Sequence, residues 1–555
     1  MVASRLKEAF LHLSQHSVDS VQNGKSFTEW DEYMHVDRPI EKKLYEKMDS
    51  IDVAGGGIVL LVGSAGDGKS HLLSRIRQMS DWGDNSFYND ATASSSPKKT
   101  AIDTLKEALA DFKDANLYNT KNRLVLAINL GKLNALIDDE EFKTEYKEIV
   151  DVTYPIFDDD DTTPPIDTER VKVVMFVDQQ AFEFHTDNSK CALESQFLSA
   201  IMDKIVSKSP DNPFYKAYQE DLANGISLKD PLILNYELLS IPDIRNCIVM
   251  TIIEAIVRYK MIITPREFLD FIYSIMVYPQ EYKENKNFYE ALLPTLLYCG
   301  RENMIQKAIS KLDPLKQSST EHDKQLSVLF TSYSVPTTYF NTQQLSQLPS
   351  ELIKRTNEFY ANNGRDIERT TKFIFRLKHL LDYHTESAVY ASYIDILNGI
   401  YKKDVHKMQE IYNMVAKAIP RHYGSYYDGK ANMVPLNIQG GRYRLFGNLQ
   451  LKPEKINPFY SEKEHNEFLL RFDMSWKFPD SSIKLRMDYQ LYSYVYELNR
   501  GKLALSYENE KNLAFSRFVR QLIDKCNCEQ EITIITADSQ EMMLSESAFG
   551  DIELL

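Results

Sequence analysis

The chain has 555 residues, 43% of them hydrophobic and 26% charged, more than one hydrophobic core organises, so two to four domains are expected. A net charge of −15 excludes the usual basic, self-sufficient nucleic-acid binder, since phosphate neutralisation supplies most of that affinity; any DNA contact is expected to be local or delegated to a partner. No stretch reaches the roughly 18 apolar residues of a membrane span, and five cysteines set out no disulfide framework, which points to a reducing, cytoplasmic compartment.

Residues 1–50 read as an N-terminal helical segment. MVASRLKEAFLHLSQHS is amphipathic and lacks the continuous apolar stretch of a secretion signal. A second helical stretch, HVDRPIEKKLYEKMDS, begins at His35 and leads into GGGIVLLVGSAGDGKSHLLSRIRQM. There Ile58 to Val62 form a short apolar run suited to a buried parallel strand, and Leu72, Leu73, Ile76 and Met79 recur at helical spacing after the glycine-rich turn. Three further strands are expected at Ser86 to Asp90, Arg123 to Leu130 and Val171 to Asp178, separated by helical segments near 100–115 and 132–150. Strands alternating with helices predict an α/β domain over 51–210, a parallel sheet covered on both faces. The insert DVTYPIFDDDDTTPPIDTER, with four consecutive aspartates and three prolines, reads as a solvated loop more readily than as a metal site. From 211 to 420 apolar residues recur at three and four, as in NCIVMTIIEAIVRYKM, which predicts a helical lid and a long helical region. Over 421–555, GGRYRLFGNLQLKP, SIKLRMDYQLYSYVYEL and EITIITAD predict a small mixed α+β domain with several strands.

Gly63-Ser64-Ala65-Gly66-Asp67-Gly68-Lys69-Ser70 fits G-x-x-x-x-G-K-[ST] without departure and sits between an apolar strand and an amphipathic helix. The glycines let the backbone wrap phosphate oxygens, and main-chain N–H groups with the following helix N-terminus present positive potential. Lys69 is expected to reach the β- and γ-phosphates and the Ser70 hydroxyl to ligate Mg²⁺, so ATP and Mg²⁺ are the expected cofactors of an AAA-like P-loop NTPase domain. His71 follows the loop and either touches the nucleotide or packs the helix.

Hydrolysis needs a carboxylate for Mg²⁺ and a group to orient water. LVLAINL ends in Asn129 where Asp would be expected, VVMFVD ends in Asp178 followed by Gln179, and Asp90 closes FYND. If Asn129 takes the magnesium side, Asp178 sits on the next strand as a γ-phosphate sensor; Lys69 and Asp178 are the candidate catalytic residues and Ser70 and Asp178 the candidate metal ligands, with partial magnesium coordination and slow turnover expected. Arg266, in ITPREFLDF, starts a helix beyond the α/β part; it is either a lid arginine over the γ-phosphate or an ordinary exposed helix-start residue. Cys526-x-Cys528 lacks the two further ligands a metal would need.

HVDRPIEKKL, LLVGSAGDGKSHLLS, FYNDATAS, LVLAINLGKLNAL and TPREFLDFI, with IKLRMDYQLYSYVYELNRGKL near the end, make the chain resemble the DNA phosphorothioation-dependent restriction protein DptF (DndF) family over most of its length. The resemblance implies a bacterial restriction system of three proteins, acting on DNA that lacks the host's phosphorothioate mark. This chain would be the P-loop component beside a second subunit and a larger helicase-like ATPase, with Lys69 and Ser70 carried over and DNA met through the complex. No paired-carboxylate-plus-lysine nuclease pattern stands out. A non-catalytic nucleotide-binding scaffold, a DNA-stimulated motor and a signalling switch outside restriction are the competing classes.

Overall fold

The computed structural model describes residues 4–19, 28–89, 101–157, 167–176, 181–184, 193–317, 320–331, 339–361, 367–422, 433–436, 443–449, 451–454, 456–458, 471–479, 481–502, 512–525, 531–536, 538, 540–546 and 552–554. The chain divides into two compact units, Met1–Glu183 with Ser195–His384, and Phe184–Glu194 with Thr385–Leu555.

The first unit is built on a parallel sheet of β1 (Gly57–Gly63), β2 (Phe87–Asn89), β3 (Arg123–Asn129) and β4 (Val171–Met175), in the order β2-β3-β1-β4. Every residue of β1 is buried, as a central strand covered on both faces requires. Alternation along the strands divides the core in two. Ile58, Leu60, Val62, Leu126 and Ile128 pack with helical segments between 101 and 153. On the other face Val59, Leu61 and Val125 meet Ile40 and Leu44 of α3 (Pro39–Ala54) and Ile76 of α4 (Lys69–Met79). Parallel register sets Gly63 opposite Asn129, so the ends of β1 and β3 arrive together. The span expected to be helical at 132–150 is helical, in three short helices, Leu130–Ile137, Glu140–Glu145 and Lys147–Thr153. Asp139 stops the first run because its side chain caps the second helix, accepting from the Phe142 N–H at 2.9 Å. Met79, counted on the apolar stripe of α4, is 63% exposed; it lies in the last turn, past Ile76 where the buried stripe ends.

α1 (Arg5–Asp19) buries Leu6, Phe10 and Leu13 completely, bearing out the amphipathic reading. Its first turn is pinned by the buried Asp221 carboxylate, which accepts from Ser4 Oγ at 2.6 Å, Arg5 N at 2.7 Å and Leu6 N at 3.1 Å. A carboxylate is well suited there, since it satisfies helix-start N–H groups and faces the positive end of the helix dipole. α2 (Glu29–Met34) follows with a capping box between Thr28 and Asp31. The rest of the unit is helical. Buried Asn235 joins three chain segments, donating to Met276 O and Ala291 O at 3.0 Å each and accepting from Leu293 N at 2.7 Å. Asp313 and Arg376 form a buried two-bond ion pair, Nε to Oδ1 at 3.1 Å and Nη2 to Oδ2 at 2.6 Å.

The second unit carries two antiparallel sheets. Two short strands, β5 (Glu183–Phe184) and β6 (Leu193–Glu194), pair with each other. β7 (Met433–Pro435), β8 (Tyr443–Asn448), β13 (Glu531–Thr536), β14 (Glu541–Glu546) and β15 (Ile552–Leu554) form one sheet. β9 (Lys452–Pro453), β10 (Asn457–Pro458), β11 (Arg471–Lys477) and β12 (Ser482–Asp488) form the other. SIKLRMD is strand, but YQLYSYVYELN after it is helix Tyr489–Asn499. Asp488 accepts from Leu491 N at 2.9 Å, and Leu491, Tyr492, Val495 and Leu498 bury at helical spacing.

In this unit His422 is fully buried, its Nδ1 2.6 Å from Tyr494 Oη and its Nε2 3.0 Å from Ser516 Oγ. Burial pulls its pKa from 6.5 down to about 4. The unfolded imidazole protonates below about pH 6.5 while the folded one stays neutral, so the unfolded state binds more protons in that window. The stability that His422 contributes is whole above about pH 6.5 and is lost as pH falls toward about 4. Denaturant midpoints compared across that range should fall for the wild type and fall less for His422→Gln; equal slopes would refute the assignment.

Among the described residues, no helix is long and apolar enough to cross a membrane.

Candidate functional site

The turn joining β1 to α4 is the glycine loop 63–70, and it folds as its residues dictate. Gly66 and Gly68 take left-handed φ values of +89° and +92°, which L side chains rarely adopt. A Cβ on Gly66 would also lie 2.9 Å from Thr264 Oγ1, and one on Gly68 2.8 Å from the Arg38 guanidinium. The loop is braced internally. The Asp67 carboxylate accepts from the Ser64 N–H, and Lys69 Nζ donates to the Ser64 carbonyl at 2.6 Å. Burial raises the Asp67 carboxyl above the usual carboxylate range, against the opposing pull of the Ser64 N–H and Lys69.

Arg38 supports the loop from outside. It donates to the Asp67 carbonyl at 2.9 Å and lies between the rings of Phe176 and Phe197, 5.0 and 5.6 Å from their centroids. Burial lowers its pKa to about 10, which leaves it charged at neutral pH. Two aromatic faces and one carbonyl thus hold a desolvated cation against the loop.

A cavity of 540 Å³ opens over this loop, within the range of small-molecule sites. Its wall combines the polar side chains of Lys69, Ser70, Asn89, Asn129, Lys132 and Arg266 with the apolar ones of Met34, Val36, Phe197, Ile201 and Leu269. Three helix N-termini meet it: α4 at Lys69, helix Leu130–Ile137 at Gly131, and helix Pro265–Met276 at Pro265 and Arg266. The last is fixed by a capping box, with Thr264 bonded to Glu267 and Pro265 in the first turn. Asn129 caps the second, its Oδ1 accepting from Gly131 N at 2.9 Å. Among the described residues that line the cavity there is no carboxylate, while Arg38, Lys69, Lys132 and Arg266 all contribute to its wall.

Most residues singled out from the sequence come together here. Ala65, Gly66, Gly68, Lys69, Ser70, His71, Asn129 and Arg266 line the cavity; Gly63, Ser64 and Asp67 form the frame of the loop. His71 meets His35, Nε2 to Nδ1 at 3.1 Å with the rings stacked 5.3 Å apart. His35 Nε2 in turn faces Asp37 and Glu41 at 3.1 Å each, and Arg75 pairs with the same two carboxylates at 2.9 and 2.5 Å. Arg75 therefore already supplies the cation of this His–Asp–Glu group. Asp178, Asp90, the aspartates 158–161, Cys526 and Cys528 lie outside the described residues.

No protein-family signature, no curated protein and no solved structure matches this chain.

Arg38, Asn89, Lys132, Phe197 and Thr264 were given no role from the sequence. Lys132 follows Asn129 by three residues and Asn89 precedes Asp90, so both were adjacent to flagged positions. Arg38 and Phe197 carry no local signal, because their roles come from contacts across the fold.

Proposed function

We propose that the first unit is a P-loop ATP-binding module of AAA-like type, and that the chain is the nucleotide-controlled subunit of a phosphorothioation-dependent DNA restriction assembly. One observation carries the binding claim. In a chain of net charge −15, four cationic side chains and three helix N-termini converge on one cavity whose described lining has no carboxylate. That arrangement suits a polyanion, and the apolar side chains of the wall offer a surface for a flat base. Lys69 would neutralise the β- and γ-phosphates, Arg266 would face the γ-phosphate from the helical part, and Ser70 would meet Mg²⁺. A central glycine-loop strand and a helix N-terminus bringing Arg266 to the cavity support the AAA-like assignment. The restriction role rests on the family resemblance. In it, bound ATP orders the wall around Arg266 and a slow hydrolysis releases it, switching the assembly between resting and active states. DNA and the two partner proteins, a second subunit and a helicase-like ATPase, are met through the complex.

Calorimetry of the whole chain with purine nucleoside triphosphates tests binding, and phosphate release with and without DNA and partners tests turnover. Heat with ATP and slow release are expected. No heat with any triphosphate refutes the module, and binding without release under every condition leaves a scaffold.

A further inference from the structure

We infer that Arg38 is a positioning residue for the triphosphate: the flat shape of its guanidinium, and not its charge alone, holds the Asp67–Gly68 peptide in the orientation that phosphate binding uses. The inference rests on the nucleotide reading above and adds to it a residue outside the loop on which affinity depends. A peptide unit is flat and trans, so its carbonyl and the N–H of the next residue point in opposite directions. Arg38 Nη1 donates to the Asp67 carbonyl at 2.9 Å. Keeping that oxygen on the Arg38 side turns the Gly68 N–H the other way. Such main-chain N–H groups are what a glycine loop offers to phosphate oxygens.

This peptide needs a holder because of the residue that follows it. Gly68 sits at φ +92° and has no Cβ to resist rotation of the plane before it. Asp67 is tied on its other side, where its carboxylate accepts from the Ser64 N–H. The orientation of the link between them therefore falls to Arg38. That side chain is itself fixed, 5.0 and 5.6 Å from the ring centroids of Phe176 and Phe197. Aromatic faces set the plane of a guanidinium and leave its N–H groups directed along that plane, here at a carbonyl. The fit is close, since a Cβ on Gly68 would lie 2.8 Å from Arg38 Nη2. A lysine carries the same charge on a flexible stem, with no plane for the rings to set.

The test is titration of the full chain with a fluorescent ATP analogue, for the wild type, Arg38→Lys and Arg38→Ala, with a melting curve for each. Arg38→Lys keeps the cation and should still bind at least about tenfold more weakly than the wild type. Arg38→Ala should lose at least as much, and millimolar methylguanidinium should restore most of that loss where methylammonium does not. An Arg38→Lys protein that binds like the wild type overturns the inference and leaves the nucleotide reading standing, because charge then suffices. Recovery of Arg38→Ala by neither cation, or equally by both, overturns it too. Should Arg38→Lys fail to fold, Phe176→Leu takes its place: it removes one aromatic face and should weaken binding at least about threefold, and unchanged affinity there overturns the inference. A wild type that binds no analogue removes the nucleotide reading and this inference together.

Discussion

Lys69→Ala is expected to lower ATP affinity by about two to three orders of magnitude while leaving the fold intact. Lys69 is only half-buried and its bond to the Ser64 carbonyl is solvent-exposed, so the loss in stability should stay within about 1 kcal/mol. What disappears is a charge aimed into a cavity that excludes part of the solvent, where an ammonium–phosphate contact is worth more than at an open surface. Calorimetry reads the affinity and a melting curve reads the fold. Under the proposed restriction role, the same substitution should remove protection in cells that carry the assembly. Unchanged ATP binding would show that the loop holds no phosphate, and unchanged protection would detach nucleotide from the restriction role.

Asp313→Ala is expected to cost about 3–5 kcal/mol of stability, a large part of the 5–15 kcal/mol typical of a folded protein. The Asp313 side chain is 3% exposed and that of Arg376 10%, so truncation strands a guanidinium away from water. Asp313 also accepts from Leu315 N at 3.2 Å, holding the turn that follows it. Exchanging both members for apolar residues of similar volume should cost far less, because no charge is then left unpaired. Urea unfolding of the single and double variants separates the cases. A loss below about 1 kcal/mol for Asp313→Ala would mean the pair is more hydrated than its burial indicates.

What the sequence made legible follows from the range of the forces involved. β1, the glycine loop and α4 could be read because an unbroken apolar run, a fixed loop pattern and a helical stripe are all local. The parallel sheet followed from alternation of strands and helices, and the helix start near Arg266 from the proline in ITPREFLDF. Asn129 was read as a site residue while Arg266 was left as either a lid arginine or an exposed helix-start residue; strand register and helix position bring both to the cavity wall. Arg38 escaped notice because an arginine before a proline looks solvent-facing until two phenylalanines from distant strand and helix close over it. Helix Tyr489–Asn499 was hidden for another reason: its tyrosine-rich composition suits a strand, and the Asp488 cap outweighed that preference.

The position of Arg38 reaches beyond the loop it supports. Residues 35–38 bridge α2 and α3, and with Met34 at the end of α2 they supply His35, Val36 and Arg38 to the cavity, forming one panel of its wall. A protein that grips α2 and draws the panel outward would take the loop's outer brace with it and open the chamber to solvent. By reciprocity, a guest in the chamber holds the panel shut and weakens that grip by the same factor. A protein bound at α2 and a guest in the chamber would then each respond to the other without touching.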